Sequence, residues 1–380
     1  RRANPAAANG VVVLINPPPA PPYAAAVVNN KALTLVGDGV PAVSLTSLRI
    51  ENLAAGKSLV VRDLKIVGGM TLEANSGSVR IEDCPITGAA GVAVADSDGG
   101  PGLTITTSVD VAVERCTITG GMGVTNSITF DGGLGGDGTD VSSTLSVISQ
   151  VVLHTCSVTG GEGGFAFAPA IGFNDGGKGL LSVASSRVHV SGCTAIGGPG
   201  GDGTGASACG NGGTGLTVLS GSPGQPLTTI QASTFQGGSA GTGFPCMGSP
   251  GAAMSVAGTV VNYAGPAHKF QGSSPLREGQ TSVLNFKGQP GDQVYAWVSA
   301  FGGFTSLSKY EGVFLVAFPV LGNAAIFFGT CNAAGEVNVS FPVPNLSVPG
   351  VTIHLLSVFR TGSTFYLGPA SYQTFVDSAF

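Results

Sequence analysis

Four aspartates, Asp131, Asp137, Asp140 and Asp202, stand in glycine-rich runs and are the residues best placed to hold a hard cation. Gly132-Gly-Leu-Gly-Gly-Asp137-Gly-Thr139 and Gly197-Gly-Pro-Gly-Gly-Asp202-Gly-Thr204 are near copies of each other. Both begin like the Gly-Gly-x-Gly-x-Asp calcium repeat, and calcium wants clustered oxygens. That motif works in tandem, whereas each copy here stands alone, so glycine packing of one loop on the next is the competing reading. Asp96, Asp98 and Asp175 extend the acidic set. Calcium is the one cofactor these residues could hold.

Acid–base chemistry finds less support. Glycoside hydrolysis needs two carboxyls, one with a raised pKa. Asp96 and Asp98 are two apart but sit in a glycine-rich loop, where water keeps both ionised. Arg187 with His189, approached by Asp175 and Lys178, is the nearest thing to a lyase-type grouping. His154, His189, His268 and His354 are scattered. Gly237-Gly-Ser239-Ala-Gly241 spells a nucleophile elbow with no helix pattern behind it. Gly56-Lys57-Ser58 ends like a phosphate loop, but Glu51 stands where its first glycine must be. No catalytic residue is assigned, and the chain reads as leaning away from an enzyme. Phe165 and Phe167, in one loop, could grip a glycan or a neighbouring subunit, or fold down as a small loop core.

The elements that would position these residues repeat. Val111-Ala-Val113-Glu-Arg-Cys116-Thr-Ile118 recurs around Leu64, Cys84, Cys156, Cys193 and, more weakly, Ser233, at intervals of 20, 32, 40, 37 and 40. One fixed core with variable spacing is a repeat with variable loops. Each run alternates with period two, as strands do, and the polar pair before the cysteine position turns one corner. A further strand precedes each copy, as in Met70-Thr-Leu72 and Leu103-Thr-Ile105. Three short strands cannot bury their own apolar faces, so neighbouring repeats must stack. The expected fold is all-β: a right-handed parallel β-helix over residues 1–265, right-handed because parallel crossovers are. Cys84, Cys116, Cys156 and Cys193 then form an inward structural stack of small apolar fillers. Cys209 and Cys246, 37 apart in loops, are candidates for a disulfide across neighbouring coils, leaving Cys331 over. Stacked corners place Arg62 over Glu82 and Asp83 over Arg115, as exposed pairs worth roughly 0–1 kcal/mol.

Composition narrows the classes. Gly is 62 of 380 residues and charged residues only 10%, against about 25% in ordinary domains. A surface so poor in charge resists association weakly. Net charge is −5, which gives no footprint for nucleic acid, and no apolar run is long enough to span a membrane. The chain opens on Arg1-Arg2 without Met, as a processed chain would.

Gly10-Val-Val-Val-Leu-Ile15, Ala32-Leu-Thr-Leu-Val36 and Gly37-Asp-Gly39 resemble the opening coil of bacterial proteins of the pectin-lyase-like β-helix superfamily. From about 276 the texture changes: Phe rises, the only Trp appears (Trp297), and short runs suggest an antiparallel β-sandwich over 276–380. Ser274-Pro-Leu-Arg-Glu-Gly279, Gly288-Gln-Pro-Gly291, Phe341-Pro-Val-Pro344 and Val376-Asp-Ser-Ala-Phe380 resemble a C-terminal module of planctomycete-type secreted proteins, which implies an accessory role. The superfamily holds many polysaccharide lyases and hydrolases, but the Asn-Thr-Asp, Asp-Asp and Gly-His-Gly motifs of its polygalacturonase-like members are missing. The expectation is a non-catalytic, secreted structural or adhesive protein at the cell surface, self-associating into a homo-oligomer or fibre through β-rich ends. Extracellular polysaccharide is the other partner expected. The alternative is a polysaccharide lyase or glycoside hydrolase.

Overall fold

The computed structural model describes residues 11–15, 22–37, 43–93, 98–126, 128–129, 131–144, 147–167, 174–183, 186–204, 209–219, 227–243, 246–299, 302–305, 310–316, 325–343 and 350–376. The first two thirds wind into three parallel sheets of nine, seven and eight strands, here called front, side and back. Each turn runs front, side, back, so the chain is a parallel β-helix. The front column inside reads Leu59, Val79, Val111, Val151, Val188. A second inner column reads Val61, Ile81, Val113, Leu153, Val190, Ile230. All belong to one continuous core. A further copy below the first one legible in the sequence places Val43 under Leu64, through Ser44 paired with Lys65.

The corner between front and side explains the cysteines. Asp63, Asp83, Arg115, Thr155 and Ala232 all take left-handed φ of 43–54°, and Gly192 takes 62° at the same place. This bend turns the carbonyl before it inward. The next residue answers with a small donor: Cys84 Sγ to Glu82 O at 3.2 Å, Cys116 Sγ to Glu114 O at 3.3 Å, and Ser233 Oγ to Gln231 O at 2.9 Å. Its own N–H reaches the next coil, Cys84 to Cys116 Sγ at 3.4 Å and Cys193 to Ser233 Oγ at 3.1 Å. The column is thus a ladder of vertical neighbours.

Residues beyond the last coil form two larger, mainly antiparallel sheets and a two-stranded one, Gly302–Thr305 with Phe314–Val316. Of the larger two, one is Lys269–Gly272, Thr281–Lys287 and Glu336–Pro342. The other is built on Gln293–Ser299, Gly350–Thr361 and Thr364–Val376. Phe270, Leu284, Phe286, Val294, Leu355 and Phe359 fill the space between them. Thr364–Val376 is one strand of 13 residues. The last coil strand ends at Tyr263 and Lys269 already belongs to the sandwich, so the chain crosses over between them.

Candidate functional site

The sandwich lies on the outer face of the front sheet. Val60, Ala112 and Val152 point outward and pack against Phe314, Leu356, Ala370 and Tyr372. Thr34 Oγ1 and Thr352 Oγ1 meet at 2.9 Å. Strands buried on both faces result: Ser78–Glu82 is buried at every position, whereas back strands alternate.

The corner charges lie under this cover, which corrects the expectation that they are exposed. Arg62 Nη1 meets Glu82 Oε2 at 2.7 Å, with side chains 4% and 0% exposed. Arg115 Nε reaches Asp83 Oδ1 at 2.9 Å and its guanidinium also touches Glu82. The network belongs to both parts of the molecule. Arg62 and Arg115 donate to Gly272 O and Phe270 O at 2.9 and 2.7 Å. Ala370 N donates to Glu114 Oε1 at 3.0 Å and Ser371 Oγ to Glu82 Oε1 at 3.1 Å. Arg80, fully buried, pairs with Asp110 at 2.7 Å and lies over the Tyr372 ring. Burial, with the neighbouring Glu82 charge and against the pull of Arg115, pushes Glu114 up to about 8. Burial likewise lowers His189 to about 4 and His354 to about 3. These groups are perturbed as catalytic ones are, but no substrate can reach them.

On the opposite side the long loops pack as extended arms. Outgoing and returning arms bond alternately through the whole stack: Gly121 to Gly100, Gly136 to Gly121, Gly161 to Gly136, Gly177 to Gly161, Gly198 to Gly177 and Gly213 to Gly198, at 2.7–2.9 Å. A Cβ on Gly177 would lie 1.9 Å from Gly136 O, so the contact admits only glycine. Every third residue faces out, the period of a polyproline-II-type chain. Those outward positions carry the aspartates. Asp98 accepts from Leu134 N, Asp137 from Lys178 N, Asp175 from Asn211 N and Asp202 from Thr242 N, all at 2.6–2.7 Å. Each carboxylate thus satisfies an outward N–H of the next coil. The missed signal was the spacing 98/101, 134/137, 175/178, 211/214.

The four calcium candidates are not brought together. Among the described residues no group of three or more acidic, His or Cys side chains could hold a metal ion. Asp137 and Asp140 do approach each other, beside Lys178, whose Nζ is 3.7 Å from Asp137. Burial first, then the Asp137 charge, raises Asp140 to about 6. Asp131 and Asp202 lie in other parts of the loop stack, and Asp96 is outside the described residues. Arg187, His189, Asp175 and Lys178 do not assemble: His189 is buried against Thr229 at 2.8 Å, and Asp175 and Lys178 serve the glycine arms. Cys209 and Cys246 are joined as a disulfide. Phe165 and Phe167 pack on each other, centroids 4.7 Å apart, and stay 36% and 47% exposed.

A cleft of about 370 Å³ opens at the seam between the corner column and the three-stranded sheet. Its floor holds two ranks in register: Gln271, Asn285 and Asn338, then Lys269, Lys287 and Glu336. Lys287 pairs with Glu336 at 3.1 Å, and Arg115 closes one side. Amides and ammonium groups in ranks suit a hydroxyl-rich, anionic ligand.

No protein-family model and no curated protein sequence matches the chain. Among solved structures it is similar to the enzymatically active domain of bacteriophage CBA120 tailspike protein 2, with a TM-score of 0.32 and 9% identity over 98% of this chain and 69% of that one.

Proposed function

We propose that the protein is a non-catalytic structural or adhesive β-helix protein working outside the cell, gripping anionic polysaccharide at the seam cleft. The observation that carries this reading is the closed front sheet, whose ionisable side chains are consumed in holding the sandwich down. The Cys209–Cys246 disulfide supports an oxidising compartment. The test is a panel of acidic and neutral polysaccharides, with and without calcium. Expected are no cleavage products and retention on an acidic polymer that falls at least tenfold in Lys269→Ala/Lys287→Ala. Turnover of any polymer overturns the reading.

A second reading, a polysaccharide lyase or hydrolase, has one observation in its favour. Asp140, raised to about 6, stands near Asp137 and Lys178 on the open side of the molecule. A carboxyl with a raised pKa close to a second carboxyl is the pairing acid–base cleavage of glycosides uses. Should turnover appear, Asp140→Asn must abolish it for this site to be responsible.

A further inference from the structure

The β-helix is open at its C-terminal end. Thr234–Gln236, Met254–Val256 and Thr259–Tyr263 are the last strands of the side, back and front sheets, and among the described residues no strand pairs with their outer edges. Positions that are buried through the middle coils surface here. Met254 and Val256 continue the columns of Leu216 and Val218, which are 0% exposed, yet are themselves 38% and 46% exposed. Phe235 and Val260 are only partly covered.

Natural sheets guard such edges with charge or proline at the edge strand. This end has no charge. Residues 203–268 contain no Lys, Arg, Asp or Glu, so the last coil and its glycine arm are wholly neutral. The opposite end matches it: residues 3–30, which supply the first strands Val11–Ile15 and Ala26–Asn29, carry no charge either. Apart from Arg1 and Arg2, the charged residues of 1–265 all lie between Lys31 and Asp202. Three unpaired parallel strands set round a coil can be met on all sides only by something presenting strands in the same arrangement. Among the described residues the N-terminal end has that arrangement, with Val11–Ile15, Ser44–Leu45 and Ala26–Asn29 ending the front, side and back sheets, and these strands are as free of charge as the last three.

The geometry points to the open C-terminal coil as a docking surface for a second copy of this chain, the ladders of the three sheets and of the glycine arms continuing across the junction. This deepens the structural reading of the protein but fails separately from it: a monomer that cleaves nothing and binds polysaccharide leaves that reading standing and removes this one.

The test is sedimentation velocity of the whole chain over a hundredfold range of concentration, alongside Val256→Lys/Asn262→Lys at the open end. Met122→Lys/Phe167→Lys, on exposed glycine-arm positions, serves as the comparison. Circular dichroism melts confirm that each variant is folded. The native chain is expected to form dimers or longer species with rising concentration, the end variant to stay monomeric with an unchanged melt, and the arm variant to associate like the native chain. A native chain that is monomeric throughout overturns the proposal. So does association that survives in the end variant or vanishes in the arm variant. If the end variant does not fold, Ser255→Lys alone, on an exposed outward position of the same edge strand, replaces it under the same criteria.

Discussion

Glu82 ties two coil corners to the sandwich. It accepts from Arg62, Arg115 and Ser371 at zero exposure, and its removal takes the most buried acceptor from two guanidinium groups that keep only Asp63, Asp83 and Glu114 around them. Glu82→Ala is expected to cost about 3–5 kcal/mol in denaturant unfolding, the range for breaking a buried ion pair. Arg49→Ala, which disrupts an exposed ion-pair trio with Glu51 and Glu73, is expected to cost about 0–1 kcal/mol. Equal losses would mean the corner network is not buried. Glu114 sets a pH dependence. Unfolded, it releases its proton near 4.5; folded, it keeps it to about 8, so the native state binds more protons in between and stability falls as pH rises. Buried His154, His189, His268 and His354 act oppositely, but only below their ordinary 6.5, and Asp63 and Asp140, half-titrated near 6, add only to the start of the fall. Melting temperature is therefore expected to drop from pH 6.5 to 8, and Glu114→Gln is expected to flatten that drop. A drop of the same size in the variant would assign it elsewhere.

At the scale of the element, the strands were legible and their surroundings were not. Period-two alternation and the recurring cysteine position locate the coils, because the inner face obeys one rule in every copy. The outward positions Val60, Ala112 and Val152 carried the signal that the front sheet is covered on both faces, as strands of buried parallel sheets are. It went unread because an isolated outward valine looks like any β-former. The aspartates of the loops are ambiguous for a related reason: in sequence, a carboxylate in a glycine run that accepts an N–H of the next coil, as Asp137 and Asp202 do, looks like one that would hold a cation. Only the three-residue period separates the two, and it emerges when several arms are laid side by side. The arms make a sharp prediction. Gly177→Ala puts a methyl against Gly136 O and is expected to cost about 1–3 kcal/mol, as overpacking does. Met122→Ala at an exposed position is expected to stay within about 0.5 kcal/mol. Chemical denaturation of both variants checks the pair, and equal stability would mean the arms do not pack on one another.

For the whole molecule, the two parts cannot be understood separately. Phe270 and Gly272, the first residues of the sandwich, take hydrogen bonds from corner arginines of coils more than 150 positions earlier. Long-range closure of this kind is invisible to local pattern, since nothing in Arg62 or Arg115 announces what will lie over it. It also bears on the proposed function: the front face is filled by the sandwich, while the seam cleft and the glycine arms stay on the surface. The closure is tested most directly at Thr34 and Thr352, whose hydroxyls meet at 2.9 Å between a front strand and the sandwich. In the double variant Thr34→Cys/Thr352→Cys, mild oxidation followed by digestion and mass spectrometry is predicted to recover the two positions as one disulfide-linked peptide pair. Recovery of both as free thiols, in a protein that melts like the native chain, would contradict a sandwich seated on the front sheet.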